Sequence, residues 1–345
     1  MAGQQHRFSL GRFRAVDASV FAGIVVDDMV VRLDALTSSE PGVPGVKDVN
    51  MMFAAWDDQV ERLAERAAWL RERGPSGTLP GAVHQLAELT TLSPVQPTQV
   101  FQSGANYRTH VIELLVAQQA DDRPGETKSE RRARAAAIMD ERAANGTPYV
   151  FAGLPTAICG PRDDVVLPAG GTQHDWELEL AAVIGRPARR VHRDVALSYV
   201  AGYTIVNDIT TRDRVYRPDI PGIGTDWLAS KNAPTFLPTG PYLVPAAFID
   251  DPMKLRIVLR LNGETMQDAC TAEMIFDIAR LIEYASSLAE LLPGDLLLTG
   301  SPAGNGVHYR RFLRPGDVME GEITELGMQR NRCVADQPSA TSFRP

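Results

Sequence analysis

His174-Asp-Trp-Glu-Leu-Glu-Leu-Ala-Ala-Val-Ile-Gly185 is a stretch whose character changes half-way along. In an extended chain, residues at i and i+2 share a face. Glu177 and Glu179 therefore project from one side, while Trp176, Leu178 and Leu180 project from the other. From Ala181 to Ile184 every position is apolar, which reads as a buried strand. Two carboxylates at the end of a buried strand cost several kcal/mol unless something positive compensates them. Asp208 follows about thirty residues later, in Tyr203-Thr-Ile-Val-Asn-Asp-Ile-Thr-Thr-Arg-Asp213, and completes a three-carboxylate set on a second apolar strand. Oxygen-only ligands favour Mg²⁺, Mn²⁺ or Ca²⁺ over zinc. The competing reading makes the two glutamates the polar side of an amphipathic edge strand. The unbroken apolar continuation and the cationic loop after Asp208 favour the metal site.

The chain has 345 residues, enough for one large or two medium domains. A hydrophobic content of 44% with 23% charged residues is that of an ordinary globular protein. The net charge of −8 argues against a general nucleic-acid binder, since phosphate contacts need a basic surface. A small anionic substrate responds to local charge and stays compatible with it. Cys159, Cys270 and Cys333 are odd in number and widely spaced, as expected of free thiols in a reducing compartment. The first residues lack the apolar core of a signal peptide, and no stretch reaches eighteen apolar residues. The expectation is a cytoplasmic protein with no membrane span.

Residues 1–98 alternate strand-like pieces with helical ones and form the expected small N-terminal α/β domain. Val16–Val26 and Val30–Leu33 read as a hairpin around Asp27-Asp28, and Met51–Arg73 carries Val60, Leu63, Ala67 and Leu70 at helical spacing. Beyond Leu154, short runs such as Val165–Pro168, Glu177–Gly185, Ala201–Asn207, Leu255–Leu261 and Asp295–Thr299 alternate with turn residues. One helix is expected within Ala272–Leu291, with Met274, Ile278, Leu281, Ile282 and Ala285 on a face. Many strands and few helices predict a β-rich α/β core over 99–335, rather than a doubly wound sheet. Within it, 115–148 reads as an insertion whose mixed charges and alanines favour a solvated helix. Residues 336–345 read as a disordered tail.

Three further groups carry potential chemistry. His110 and Glu113 lie three apart in Ser103-Gly-Ala-Asn-Tyr-Arg-Thr-His-Val-Ile-Glu113. On a helix such a pair shares a face, and a carboxylate beside an imidazole assembles a general base. The alternative is an ordinary polar pair on a solvent face. Arg212 and Lys231 are cations suited to a substrate carboxylate or a developing oxyanion, or are plain surface charges. Leu298-Thr-Gly-Ser-Pro-Ala-Gly-Asn-Gly306 is a glycine-rich turn without the Gly-Lys-Ser/Thr ending of a phosphate loop. Its amides can hold a carboxylate, or it is simply a turn. Cys159 and Ser301 show no activating partner, which argues against a thiol or serine nucleophile.

In this order the motifs resemble the fumarylacetoacetate hydrolase superfamily. The match runs through Gly104-Ala-Asn-Tyr-Arg-Thr-His110 with Glu113, Glu177-Leu-Glu179, Gly202-Tyr-Thr-Ile-Val-Asn-Asp208, Thr-Thr-Arg212-Asp, Lys231, Leu261-Asn-Gly-Glu, Pro293-Gly-Asp and Leu298-Thr-Gly-Ser-Pro-Ala-Gly. The resemblance implies a mixed β-roll core behind the N-terminal domain, a homodimer, and Mg²⁺ (or Mn²⁺ or Ca²⁺) held by Glu177, Glu179 and Asp208. It also implies catalytic roles for His110, Glu113 and Lys231, with Tyr107, Arg212, Thr299 and Gly300 contacting a small 2-oxo acid. The expected reaction is hydrolysis of a carbon–carbon bond in a β-diketone or acylpyruvate, through water activated by His110 and Glu113 and a metal-stabilised enolate. The alternative is tautomerisation, isomerisation, decarboxylation or hydration of a 2-oxo acid at the same metal site. A non-catalytic small-acid binding protein would lack a ligand or the dyad, and all five residues are present. Two departures stand out: Val215 occupies a position where hydrolases of this family commonly place Gln, and 115–148 follows the dyad where many members have a short loop. That segment is either a longer lid that shapes the pocket, a dimer contact or a plain solvated insertion.

Overall fold

The computed structural model describes residues 7–36, 46–74, 81–118, 125–222 and 224–336. The expected tail, apart from Asp336, and part of the 115–148 insertion lie outside the described residues. Three larger sheets organise the chain. The N-terminal sheet orders Val83–Gln85, Met29–Arg32, Val20–Val26, Ser9–Arg14 and Thr90–Leu92. Its hairpin turns at Asp27-Asp28 as expected, but Val16 is exposed and the preceding strand, Ser9–Arg14, was not legible. A short 3₁₀ turn at Val49–Ala55 leads into the helix Trp56–Arg73, whose Val60, Leu63, Ala67 and Leu70 are buried.

The central sheet has six strands, in the order Val244–Pro245, Val200–Asn207, Leu178–Ile184, Leu296–Leu298, Val100–Gly104 and Tyr149–Gly153. Leu178–Ile184 lies inside it and is buried at all seven positions. Its two faces serve different cores. Leu178, Leu180, Ala182 and Ile184 pack with Trp176, Ile205, Ile257, Leu259 and the helix Ile278–Leu288. Ala181 and Val183 pack with the N-terminal sheet and its helix, alongside Ile24, Met52, Phe53 and Leu63. A strand covered on both sides has no polar face, which explains the unbroken apolar run. The third sheet pairs Glu264–Cys270, Arg256–Leu261, Val318–Ile323, Gly327–Ala335 and Val165–Leu167, and closes over the first of these cores. The β-rich α/β class is as expected.

The Ile278–Leu288 helix is shorter than expected, because Asp277 caps it by accepting from the Arg280 amide, so Met274 lies outside. In the insertion, Lys128–Asn145 is a helix opened by a capping box: Thr127 accepts from the Glu130 amide, and the Glu130 carboxylate accepts from the Thr127 amide. Ala135 and Met139 are its buried residues, so it is amphipathic rather than fully solvated. It packs against the helix Arg108–Gln118, with Arg108 bonded to Asp140 at 2.8 Å and Arg142 donating to the Ala105 carbonyl.

Candidate metal centre and active site

Glu177, Glu179 and Asp208 converge. Each offers a carboxylate oxygen, all within 4.8 Å of one another, and all three residues are buried. The antiparallel pairing of Leu178–Ile184 with Val200–Asn207 brings them together, because Leu178 stands opposite Asn207. Asn207 accepts from the Glu177 amide at 2.9 Å, and the Asp208 amide donates to the Glu177 carbonyl at 2.8 Å. The backbone thus fixes the spacing before any side chain acts.

The surroundings set the charge. Lys231 Nζ donates to Glu177 Oε2 at 2.7 Å and to Asp208 Oδ2 at 2.5 Å. Arg212 reaches Glu177 Oε1 at 2.6 Å and Asp175 Oδ2 at 2.8 Å. Burial works against the Glu177 carboxylate, but Arg212 and Lys231 outweigh it and hold its pKa down at about 2. Burial, reinforced by the Glu177 charge, pushes Asp208 up to about 6 despite Lys231. Glu179 feels Lys231 but forms no salt bridge with it. Burial and then the charges of Asp208 and Glu177 push it well above the usual carboxylate range, while the Gly300 amide, donating at 2.7 Å, opposes this. Four buried carboxylates, Asp175, Glu177, Glu179 and Asp208, face two cations, and among the described residues Glu179 forms no salt bridge. That deficit, with an all-oxygen donor set, fits a hard divalent cation.

The structure distributes the other expected residues unevenly. His110 lies on the helix Arg108–Gln118, close enough to Glu177 and Arg212 to feel both charges. Burial pushes its pKa down to about 4, so the imidazole is neutral at ordinary pH. The expected His110–Glu113 hydrogen bond is not formed. Glu113 instead lies 3.3 Å from Nδ1 of His308, which the short helix Gly306–Tyr309 presents from the far end of the glycine-rich turn. The i,i+3 spacing puts both residues on one helix, but His110 turns inward while Glu113 reaches sideways. Thr299 Oγ1 donates to the Leu180 carbonyl and the Gly300 amide is taken by Glu179, so these two residues of the loop position a carboxylate of the triad. Gly300 has φ +91, and a Cβ there would meet Asn106 Cβ at 2.9 Å, which accounts for the glycine. Tyr107 is fully buried beside Thr299, and its hydroxyl makes no hydrogen bond of good geometry. Val215 is buried and brings no polar group.

Two contributors were missed in the sequence. Asp175 is completely buried and accepts from the amides of Trp176, Gly306 and Val307 as well as from Arg212. It therefore ties the cation to the loop that carries His308. Alternation from Glu177 already placed it on the ligand face. Gln102 donates to Asp208 Oδ1 at 2.7 Å from the parallel neighbour of Leu296–Leu298. Nothing local in the sequence marks it.

The family model for the fumarylacetoacetate (FAA) hydrolase C-terminal region matches residues 99–334. The chain belongs to the fumarylacetoacetate hydrolase family. Within that family it is similar to a mitochondrial oxaloacetate tautomerase of Bos taurus, 36% identical over 251 residues, covering 72% of this chain and 70% of that protein. It is also 43% identical over 188 residues to the 2,4-didehydro-3-deoxy-L-rhamnonate hydrolase of Sphingomonas sp. (strain SKA58), covering 54% of this chain and 64% of that enzyme. The maleylpyruvate hydrolase of Sphingobium sp. SYK-6, solved with manganese(II) and pyruvate, superposes with a TM-score of 0.68 at 26% identity, covering 95% of this chain and all of that one. Family members of this kind thus include tautomerases as well as hydrolases. Among the described residues no helix is long and apolar enough to cross a membrane.

Proposed function

We propose that this family member is a divalent-metal-dependent, cytoplasmic hydrolase that cleaves a carbon–carbon bond in an acylpyruvate-like 2-oxo acid. The observation that carries this reading is the buried, cation-deficient carboxylate triad, with His110 close enough to Glu177 to feel its charge. A Mg²⁺ or Mn²⁺ ion held by Glu177, Glu179 and Asp208 would supply Lewis acidity to the paired oxygens of the 2-oxo acid. His110 takes a proton from water at an imidazole nitrogen, and the hydroxyl oxygen adds to the distal carbonyl carbon. The bond from that carbon to the adjacent methylene then breaks, with its electron pair passing to the pyruvate fragment as an enolate. The proton returns from His110, so the products are a carboxylic acid and pyruvate, together the substrate plus water. Arg212 is 19% exposed in its side chain and orients the substrate carboxylate while anchored on Asp175. Lys231, buried between two ligands, holds the triad together. Glu113 and His308 join the two segments above the site.

Tautomerisation of a 2-oxo acid is the second reading, favoured by the Glu113–His308 contact. His110 then lacks the carboxylate that would strengthen it as a base, and a proton α to a carbonyl is easier to remove than one from water. Incubation with acylpyruvates, with and without Mg²⁺, tests the choice by product mass. Two fragments summing to substrate plus water support hydrolysis. An unchanged mass with Mg²⁺-dependent deuterium uptake at the methylene supports tautomerisation instead.

A further inference from the structure

Three aromatic rings stand at the edge of the triad and take no part in the chemistry above. Phe151 and Trp227 stack with centroids 4.5 Å apart and planes 12° from parallel. Tyr149 completes the wall, receiving a hydrogen bond from the Trp227 indole N–H at 2.7 Å. The wall is tied to the site. Trp227 and Lys231 occupy the ends of one short helix, four residues apart and so on one face. Lys231 Nζ lies 5.9 Å from the centroids of both Phe151 and Trp227. Tyr149 and Phe151 belong to the edge strand beside Val100–Gly104, and Gly104 makes room for Tyr149, since a Cβ there would lie 3.0 Å from its ring.

All three rings retain exposed surface, and Tyr149 is 43% exposed. The charges around them are spent. Lys231 is bound to Glu177 and Asp208, Arg217 forks onto Asp219, and Asp226 caps the helix by accepting from the Ala229 amide, while Arg212, anchored on Asp175, is taken by the substrate's own carboxylate in the hydrolase reading. The wall therefore offers flat apolar area next to the carboxylate triad.

Resting on the hydrolase reading, we propose that the wall of Tyr149, Phe151 and Trp227 is the subsite for the substrate's acyl arm. The substrate class is then a 2-oxo acid with a flat, apolar arm, aroyl rather than acetyl or carboxylate-bearing. Stacking of an aromatic ring on such a wall favours it by roughly tenfold over an arm too small to reach.

The test uses the full chain with Mg²⁺ and the probes benzoylpyruvate, acetopyruvate and oxaloacetate. Wild type is expected to prefer benzoylpyruvate over acetopyruvate by about tenfold in kcat/KM, and Trp227→Leu and Phe151→Leu each to bring that ratio towards unity while retaining cooperative melting. Benzoylpyruvate is also expected to quench indole fluorescence in wild type and not in Trp227→Phe. A ratio unmoved in both folded variants, or a preference for acetopyruvate or oxaloacetate, overturns the proposal. So does a change of solution mass in the variants with the ratio intact, which makes the wall a contact between copies. If no probe is turned over, the hydrolase reading fails by itself. The quenching titration then decides the subsite: weaker binding in Phe151→Leu, which keeps the reporting indole, supports it, and equal binding refutes it.

Discussion

Glu179→Gln separates the roles of charge and shape at the triad. At the outer limit of 4.8 Å, two like charges repel by about 3.5 kcal/mol at an effective dielectric of about 20. Glu179 faces two such neighbours, Glu177 and Asp208, so burial and that repulsion both disfavour its charged form without a metal. Raising that carboxyl on folding costs stability wherever the unfolded chain would already have lost the proton. The sign follows: a carboxyl raised on folding gives stability that is full below its unfolded pKa and lost as pH rises. Glutamine removes that cost, and its amide oxygen can still accept from the Gly300 amide. The metal-free variant is therefore expected to be as stable as wild type or more so at neutral pH, with the gap shrinking towards acid. Divalent-metal affinity is expected to fall about 100-fold or more, since loss of even an outer partner of a ligand costs about 10–100-fold. Urea denaturation in EDTA, melting with added Mg²⁺ or Mn²⁺, and calorimetric titration read the two effects separately. Wild-type metal affinity in the variant, or a metal-free variant that unfolds, would refute the reasoning.

The remaining predictions concern the groups around the triad. His110→Ala is expected to keep metal and substrate binding but lose turnover by about 100-fold or more. Near-normal turnover would remove His110 as the base. At saturating Mg²⁺ the wild-type rate should stay level at neutral pH and fall only as pH drops through about 4, where the half-buried imidazole gains its proton. An acid limb near 6.5 would show an unburied histidine. Lys231→Met breaks two ion pairs of 2.7 and 2.5 Å and leaves buried carboxylates unmatched, for a loss of about 3–5 kcal/mol without metal. Mg²⁺ should narrow that loss, and a variant as stable as wild type in EDTA would show the pairs to be dispensable. Light scattering should give a homodimer, twice the 37.6 kDa chain mass, where a single chain mass would contradict it.

Much of this was legible because the decisive signals are local. The alternation of Glu177 and Glu179, the apolar run after them and the apolar strand before Asp208 each follow from short-range pattern, and their convergence needs only one antiparallel pairing. The strand pieces Val165–Leu167 and Arg256–Leu261 also lay where their flanking turns placed them. Side-chain partnerships across distant segments were not legible. Glu113 could be read against His110, three residues away, but not against His308, which the glycine-rich turn brings back to it. Gln102 depends on the parallel pairing of strands almost two hundred residues apart in sequence, and Asp175 on the amides of Gly306 and Val307. The glycine-rich turn promised free amides, yet Glu179 takes the Gly300 amide, because ligand and loop meet only in the folded sheet.

Every chemical step here depends on a divalent ion at the carboxylate triad, and anomalous diffraction from crystals grown with Mn²⁺ tests that most directly. The account predicts one strong peak bounded by Glu177, Glu179 and Asp208, absent in Glu179→Gln crystals. A triad without a peak, with Lys231 still bridging Glu177 and Asp208, would contradict it.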